Sequence, residues 1–263
     1  SSQQHRARAS AGSTAAGVTI LAQFERPLLL YSKDKDKEAM RSAERLCALR
    51  EALWADKGMA GSEEERAGMA SLPSYLSSDP ATRPPPHRGV LLLLLGVIAD
   101  FPPRAWGSML DLLRALFLIP AANIALCSGG QHNQLLLGIL RRCILDRGAP
   151  RPLLLRALMA VTNVFAHPHG ARSLVHGPQA STWTEAALDL TTHHDQGVRV
   201  SAAGLLYTLS LHSQAVDSLE TVQLVSGIAH CLHAQPSPDP ETGLRLLLAL
   251  GKAVHLRADA ARL

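Results

Sequence analysis

From Gly89 onward, apolar stretches of helical period alternate with short breaks that carry Pro and Gly: FPP, IPAAN, SGGQHN, RGAPRP, HPHG, HGPQ, HHDQG and QPSPDP. Each stretch predicts a helix and each break predicts its end. An earlier helix is predicted in DKEAMRSAERLCALREALWA. Between the two regions, Lys57 to Gly89 carries GSEEERAG, SLPSYLSSDP and RPPPHRG, and it reads as a long flexible loop over 57–89. Ser1 to Gly17 is small and polar and reads as a flexible tail, which leaves 18–263 as a single domain.

Four predicted helices share an arginine followed by apolar residues: LLRALFLI (Arg114), LLRALMAV (Arg156), GVRVSAAGLL (Arg199) and GLRLLLALG (Arg245). The spacings are 42, 43 and 46 residues, within the roughly 40–47 of armadillo and HEAT repeats. The pattern therefore predicts an all-α, armadillo/HEAT-like solenoid whose equivalent helices line a concave face. In LLLRALMAVTNVF, helical geometry sets Leu154, Leu158, Val161 and Phe165 on one stripe and Arg156, Ala160 and Asn163 on the other. The fourth residue after each repeat arginine is Leu118, Ala160, Ala203 or Ala249. Three of these are small and are read as room for the backbone of a ligand.

Composition agrees with helices. Hydrophobic residues are 47%, charged residues 18% and aromatic residues 4%, with Leu and Ala abundant. The net charge of +4 points mildly to an acidic partner. No dense Lys/Arg run or aromatic-plus-basic platform is present, so nucleic acid is not an expected partner. The longest apolar run, VLLLLLGVIA, is too short to span a bilayer, so no membrane is expected. The chain begins with Ser rather than Met and is read as a fragment of a longer protein. Cys47, Cys127, Cys143 and Cys231 form no CxxC pair and are read as buried thiols in a reducing compartment.

Arg156 and Arg245 are the first binding candidates, because a planar guanidinium can hold a carboxylate through two parallel hydrogen bonds. Asn163 is either an amide that clamps an extended peptide or a residue that satisfies carbonyls at a helix end. Tyr207 either faces the groove or lies in the core. His167, His169, His176, His230 and His233 match no zinc spacing, and no metal or cofactor is expected; His167 and His169 are read as ending a helix. GxSxG, GxGxxG and P-loop motifs are absent, so the reading is non-enzymatic. The alternatives are a generic armadillo scaffold with another partner, and a metal or hydrolase site built on the histidines and Cys231.

The blocks LLRALFLIPAANIALC, QLLLGIL, LLLRALMAVTNVFAHPHGARSL, VRVSAAGLLYTLSLH and ETGLRLLLALGKAV resemble the PUL domain, the helical domain that closes phospholipase-A-2-activating protein. The likeness is closest over residues 90 to 256, with LRxxxxxxNxF and LRLLLALG its most specific pieces. It implies an armadillo-like right-handed superhelix of about six repeats. It also implies a partner, the acidic carboxyl-terminal tail of the AAA ATPase valosin-containing protein, held in a basic concave groove within ubiquitin-dependent protein processing. The groove residues correspond to Arg156, Asn163 and Arg245, with Tyr207 beside them and Arg114, Arg199 and Lys252 as secondary candidates. Ubiquitin is expected to bind only other domains of the parent protein, and the location is expected to be cytoplasmic, with the nucleus as a further setting. Two features depart from the family: NVF replaces a segment that often carries cysteine, and the RPPPHRG insertion is unusual.

Overall fold

The computed structural model describes residues 36–79, 82–128, 130–146, 148–177, 179–212, 219–234 and 239–260. The predicted tail 1–17 and the opening QFERPLLLY lie outside them. All regular structure among the described residues is helical: α1 (Asp36–Asp56), α2 (Glu63–Ser77), α3 (Arg88–Asp100), α4 (Gly107–Leu116), α5 (Pro120–Cys127), α6 (Gly130–Ile139), α7 (Arg151–Val164), α8 (Pro168–Val175), α9 (Ala180–Leu190), α10 (Gln196–His212), α11 (Leu219–Ala234) and α12 (Pro240–Ala260). A π-helical turn, Leu140–Ile144, continues α6. No single helix among the described residues is long and apolar enough to cross a membrane.

Proline sets several of the boundaries. Ile119 and His167 each precede a proline and are extended, with ψ of 120 and 148. Pro120 and Pro168 then occupy the first turn of α5 and α8, where a missing N–H costs nothing. The histidines of HPHG therefore do not close a helix: His167 precedes α8 and His169 lies inside it. His167 Nε2 donates to the Leu118 carbonyl at 3.0 Å, and His169 Nε2 meets Ser128 Oγ at 2.8 Å.

Stacking follows chain order. α1, α4, α7, α10 and α12 form an inner row in which each helix packs on the next. Behind it, α3 packs on α6, α9 packs on α11, and the short helices α5 and α8 pack on each other. The triplet α5–α6–α7 is thus echoed by α8–α9–α10. The core is continuous, and its largest fully buried side chains are Trp106, Tyr207, Phe117 and Phe165.

The expected loop over 57–89 is corrected, because it contains α2. Glu65, Gly68, Met69, Leu72, Tyr75 and Leu76 are buried at helical spacing. The Gly/Ser/Pro content of the segment hides this period. Ser62 caps the helix by accepting the Glu65 N–H at 3.1 Å, and Glu63, Glu64 and Glu65 complement the positive end of the dipole. The glycines serve close packing: a Cβ on Gly89 of α3 would lie 1.8 Å from the Glu64 carbonyl oxygen.

Asn123 ties one triplet to the next. Its Nδ2 donates to the carbonyls of Phe117 at 3.0 Å and Val164 at 2.9 Å, and its Oδ1 accepts the Gly170 N–H at 3.0 Å. The side chain is fully buried, so truncation strands three backbone groups without water. Asn123→Ala is expected to cost about 3 kcal/mol or more, since each orphaned buried group costs about 1–3 kcal/mol. Urea unfolding of both proteins checks this, with the change read as a lower midpoint at unchanged slope.

Candidate functional site

The inner row has a defined register. Bonds from Arg114 to Met159, from Arg156 to Asp111 and from Arg245 to Val200 each span 45 residues. This spacing corrects the alignment drawn from the repeated LLRAL string. Arg156 lies beside Asp111 rather than level with Arg114, and the same interval carries it to Ser201 on α10 rather than to Arg199. Arg156 and Asn163, like Arg245 and Lys252, are seven residues apart and share a helix face.

Arg156 is the most open of these side chains, 40% exposed. Its Nε donates to Asp111 Oδ2 at 3.0 Å. Its two terminal nitrogens have no partner among the described residues. Gly107 leaves space along the guanidinium; a Cβ there would stand 3.5 Å from Nη1. Arg245 is laid across α10 in the same way. Its Nη1 donates to the Val200 carbonyl at 3.2 Å, and a Cβ on Gly204 would come within 2.9 Å of that nitrogen. Its Nε meets Glu241 Oε1 at 2.8 Å, on a half-exposed carboxylate that can swing into solvent.

The other candidates have different roles. Asn163 is fully buried and donates through Nδ2 to the Arg114 carbonyl at 2.8 Å. As placed it joins α7 to α4, and its buried Oδ1 has no hydrogen-bond partner among the described residues. Tyr207 is also fully buried, and burial pushes its phenol up to about 12. It belongs to the core and not to the groove. Arg114 is a buried crosslink: Nη2 reaches Glu38 Oε2 at 3.2 Å and Nη1 meets Met159 Sδ at 3.2 Å. Lys252 is nearly buried and has no ion pair among the described residues. Ala160, Ala203 and Ala249 are fully buried between helices, so they admit neighbouring helices and not a ligand backbone.

Arg199 is part of a repeated clasp. It bonds Asp239 Oδ2 at 2.9 Å and donates to the carbonyls of His193 and His194, each at 2.9 Å. Asp239 in turn caps α12 by accepting the Thr242 N–H at 3.0 Å. Arg151 does the same for Asp195, which accepts the Val198 N–H of α10 at 3.1 Å. The structural counterpart of Arg199 is therefore Arg151.

Asp111 is the acid that the arginine pattern concealed. Its side chain is 10% exposed and lies between Arg156 Nε at 3.0 Å and Arg114 Nη2 at 3.6 Å. Burial raises its pKa, and the two guanidinium groups offset that only in part. Burial also pushes the thiols of Cys127 and Cys143 up to about 12 and, with Glu51 nearby, the half-buried Cys47 to about 11. Cys231 points its Sγ at the Leu188 carbonyl, 3.9 Å away. Among the described residues, no three His, Cys, Asp or Glu side chains converge to hold a metal ion.

The clasp carries a pH signature. Burial alone would raise Asp239, but the amide and hydroxyl of Thr242 and the Arg199 guanidinium outweigh it and hold the carboxyl below its usual range. A depressed folded pKa gives stability that is present above the unfolded value of about 3.9 and is lost as pH falls through the folded value. Asp239→Ala is expected to cost about 1 kcal/mol near pH 7, as for a lost N-cap. The deficit should shrink below about pH 3.9, and thermal unfolding of both proteins across pH 2 to 7 measures it.

The family model for the PUL domain matches residues 42–263, which reaches back into α1, well before the segment where the resemblance was closest. No curated protein matches the chain. The chain belongs to the PUL domain family, a family of protein-interaction domains.

Proposed function

We propose that this PUL domain is a non-enzymatic adaptor that docks the acidic carboxyl-terminal tail of valosin-containing protein along the inner helix row. In this reading the row is the concave side of an armadillo-like right-handed superhelix of about six repeats. The domain works in ubiquitin-dependent protein processing, in the cytoplasm and nucleus, as in phospholipase-A-2-activating protein. Other domains of the parent protein engage ubiquitin.

One observation carries the reading. Arg156 uses Nε to hold Asp111 and leaves both terminal nitrogens to solvent. That fork is suited to a carboxylate. Arg245 adds a second cation on the same row, where a ligand carboxylate replaces Glu241. Asn163 supports the site from below by fixing α7 to α4, and Tyr207 supports it from the core.

Calorimetric titration with a synthetic tail peptide tests this. Arg156→Ala and Arg245→Ala are each expected to weaken binding roughly tenfold or more, the scale of a charged hydrogen bond of about 1.5–3 kcal/mol. Arg156→Lys should recover only part of the loss, because an ammonium has no fork. Affinity should fall as salt rises. Arg156→Ala should also destabilise the fold by about 1 kcal/mol, since Asp111 loses a partner that is partly open to solvent. Unchanged affinity in both folded alanine variants would move the binding surface away from this row.

A further inference from the structure

The segment RPPPHR (Arg83–Arg88) joins α2 to α3 and belongs to neither the core nor the inner row. Pro84, Pro85 and His87 are exposed, and Pro86 is half-buried. Proline fixes φ for three successive residues, and each of Arg83, Pro84 and Pro85 is driven to an extended ψ by the proline that follows it. His87 closes the run at φ −54 and ψ 137, within the polyproline II region. Among the described residues, no hydrogen bond reaches the carbonyls of Pro84, Pro85 or Pro86.

Both ends of the run are anchored. Upstream, Arg83 Nη2 donates to the Leu76 carbonyl at 3.0 Å and to the Ser78 carbonyl, and the guanidinium lies 5.4 Å from the Tyr75 ring centroid. Downstream, His87 Nδ1 accepts the Gly89 N–H at 3.1 Å and caps α3. Gly89 is pressed against Glu64 and Gly68 of α2, where a Cβ would not fit. A triple proline stretched between two fixed points is thereby held out to solvent with its acceptors open.

We propose that Pro84–Pro86 are a preorganised polyproline ligand for a small proline-recognition module with an aromatic-lined groove and an acidic rim. Proline rings stack on such aromatics, and the open carbonyls accept indole or phenol donors. Little conformational entropy is lost on binding because the run is already extended. Arg88 supplies the cation for the rim: its side chain is 71% exposed, and Glu64 stands off at 3.7 Å. No two prolines between Pro80 and Pro86 are three residues apart, which favours a reader of consecutive prolines, of the WW type, over a reader of PxxP.

The test titrates the intact chain into a panel of isolated, isotope-labelled WW domains with carboxylate-rimmed grooves and follows their amide resonances. Saturable shifts at the groove aromatics of at least one domain are expected. Pro84→Ala/Pro85→Ala should weaken that binding at least tenfold while helix content by circular dichroism stays unchanged. Arg88→Glu should weaken it severalfold, and Arg156→Ala should leave it untouched, which separates this surface from the inner row. A free peptide of residues 79–92 should bind more weakly than the intact chain. Absence of shifts with every domain, or undiminished affinity in the folded double variant, overturns the proposal. A peptide that binds as tightly as the intact chain overturns the anchored presentation.

Discussion

Cations that reach from one helix to an acceptor on another set the register of the stack. Arg50 of α1 holds Glu65 of α2 and Asp100 of α3. Arg114 of α4 holds Glu38 of α1, Arg156 of α7 holds Asp111 of α4, and Arg245 of α12 holds a carbonyl of α10. Apolar packing between Leu/Ala surfaces tolerates sliding, because one Leu ridge resembles the next. A buried ion pair does not, since removing one partner leaves an uncompensated charge costing about 3–5 kcal/mol. The Arg50–Glu65 pair, buried on both sides, is the strictest case; the Asp111–Arg156 contact is partly open to solvent and costs less to lose. Shifting α7 by one turn, about 5.4 Å, would break this contact and the Arg114–Met159 contact together.

The helices from Gly89 onward were legible in the sequence because the apolar period and the proline breaks act locally. Arg156 was legible as an outward cation for the same reason. α2 was not. Its period is carried by Gly68, Met69, Leu72, Tyr75 and Leu76, in which a glycine and a tyrosine stand where larger aliphatics would announce a helix. Pro73 inside the helix and the serines around it favour a loop reading as well.

The limit was sharper at the site. Which face of α7 is polar can be read from its own residues, but what lies against that face depends on α4 and α10. Asn163 is buried against α4, and Tyr207, on α10 itself, is buried by the helices packed around α10. The LLRAL match set Arg114 level with Arg156 at 42 residues, whereas the helices stack at 45. Connections of unequal length separate the textual repeat from the spatial one. The missing three residues turn a helix by about 300° and exchange an acid for a base. Asp111 becomes visible only once that spacing is known, and the Arg151–Asp195 and Arg199–Asp239 clasps, which span 44 and 40 residues, only once the helix ends they cap are placed.

The same pairing that fixes the stack also fixes the Arg156 guanidinium, which the proposed docking would use. A guanidinium has five N–H donors in a rigid plane. Holding Asp111 through Nε pins one edge of that plane and aims the other outward, so the rotamer is selected before a partner arrives. Arg245 is arranged differently, because Glu241 occupies its Nε and the Val200 carbonyl its Nη1. A carboxylate arriving at Arg156 adds a contact, whereas one arriving at Arg245 exchanges with Glu241. The exchange returns little net charge energy but frees Glu241 to solvent, so selectivity at that position rests on geometry more than on charge. In the proposed docking the two arginines are therefore unequal: Arg156 would attract and orient an acidic chain, and Arg245 would check its fit further along the row.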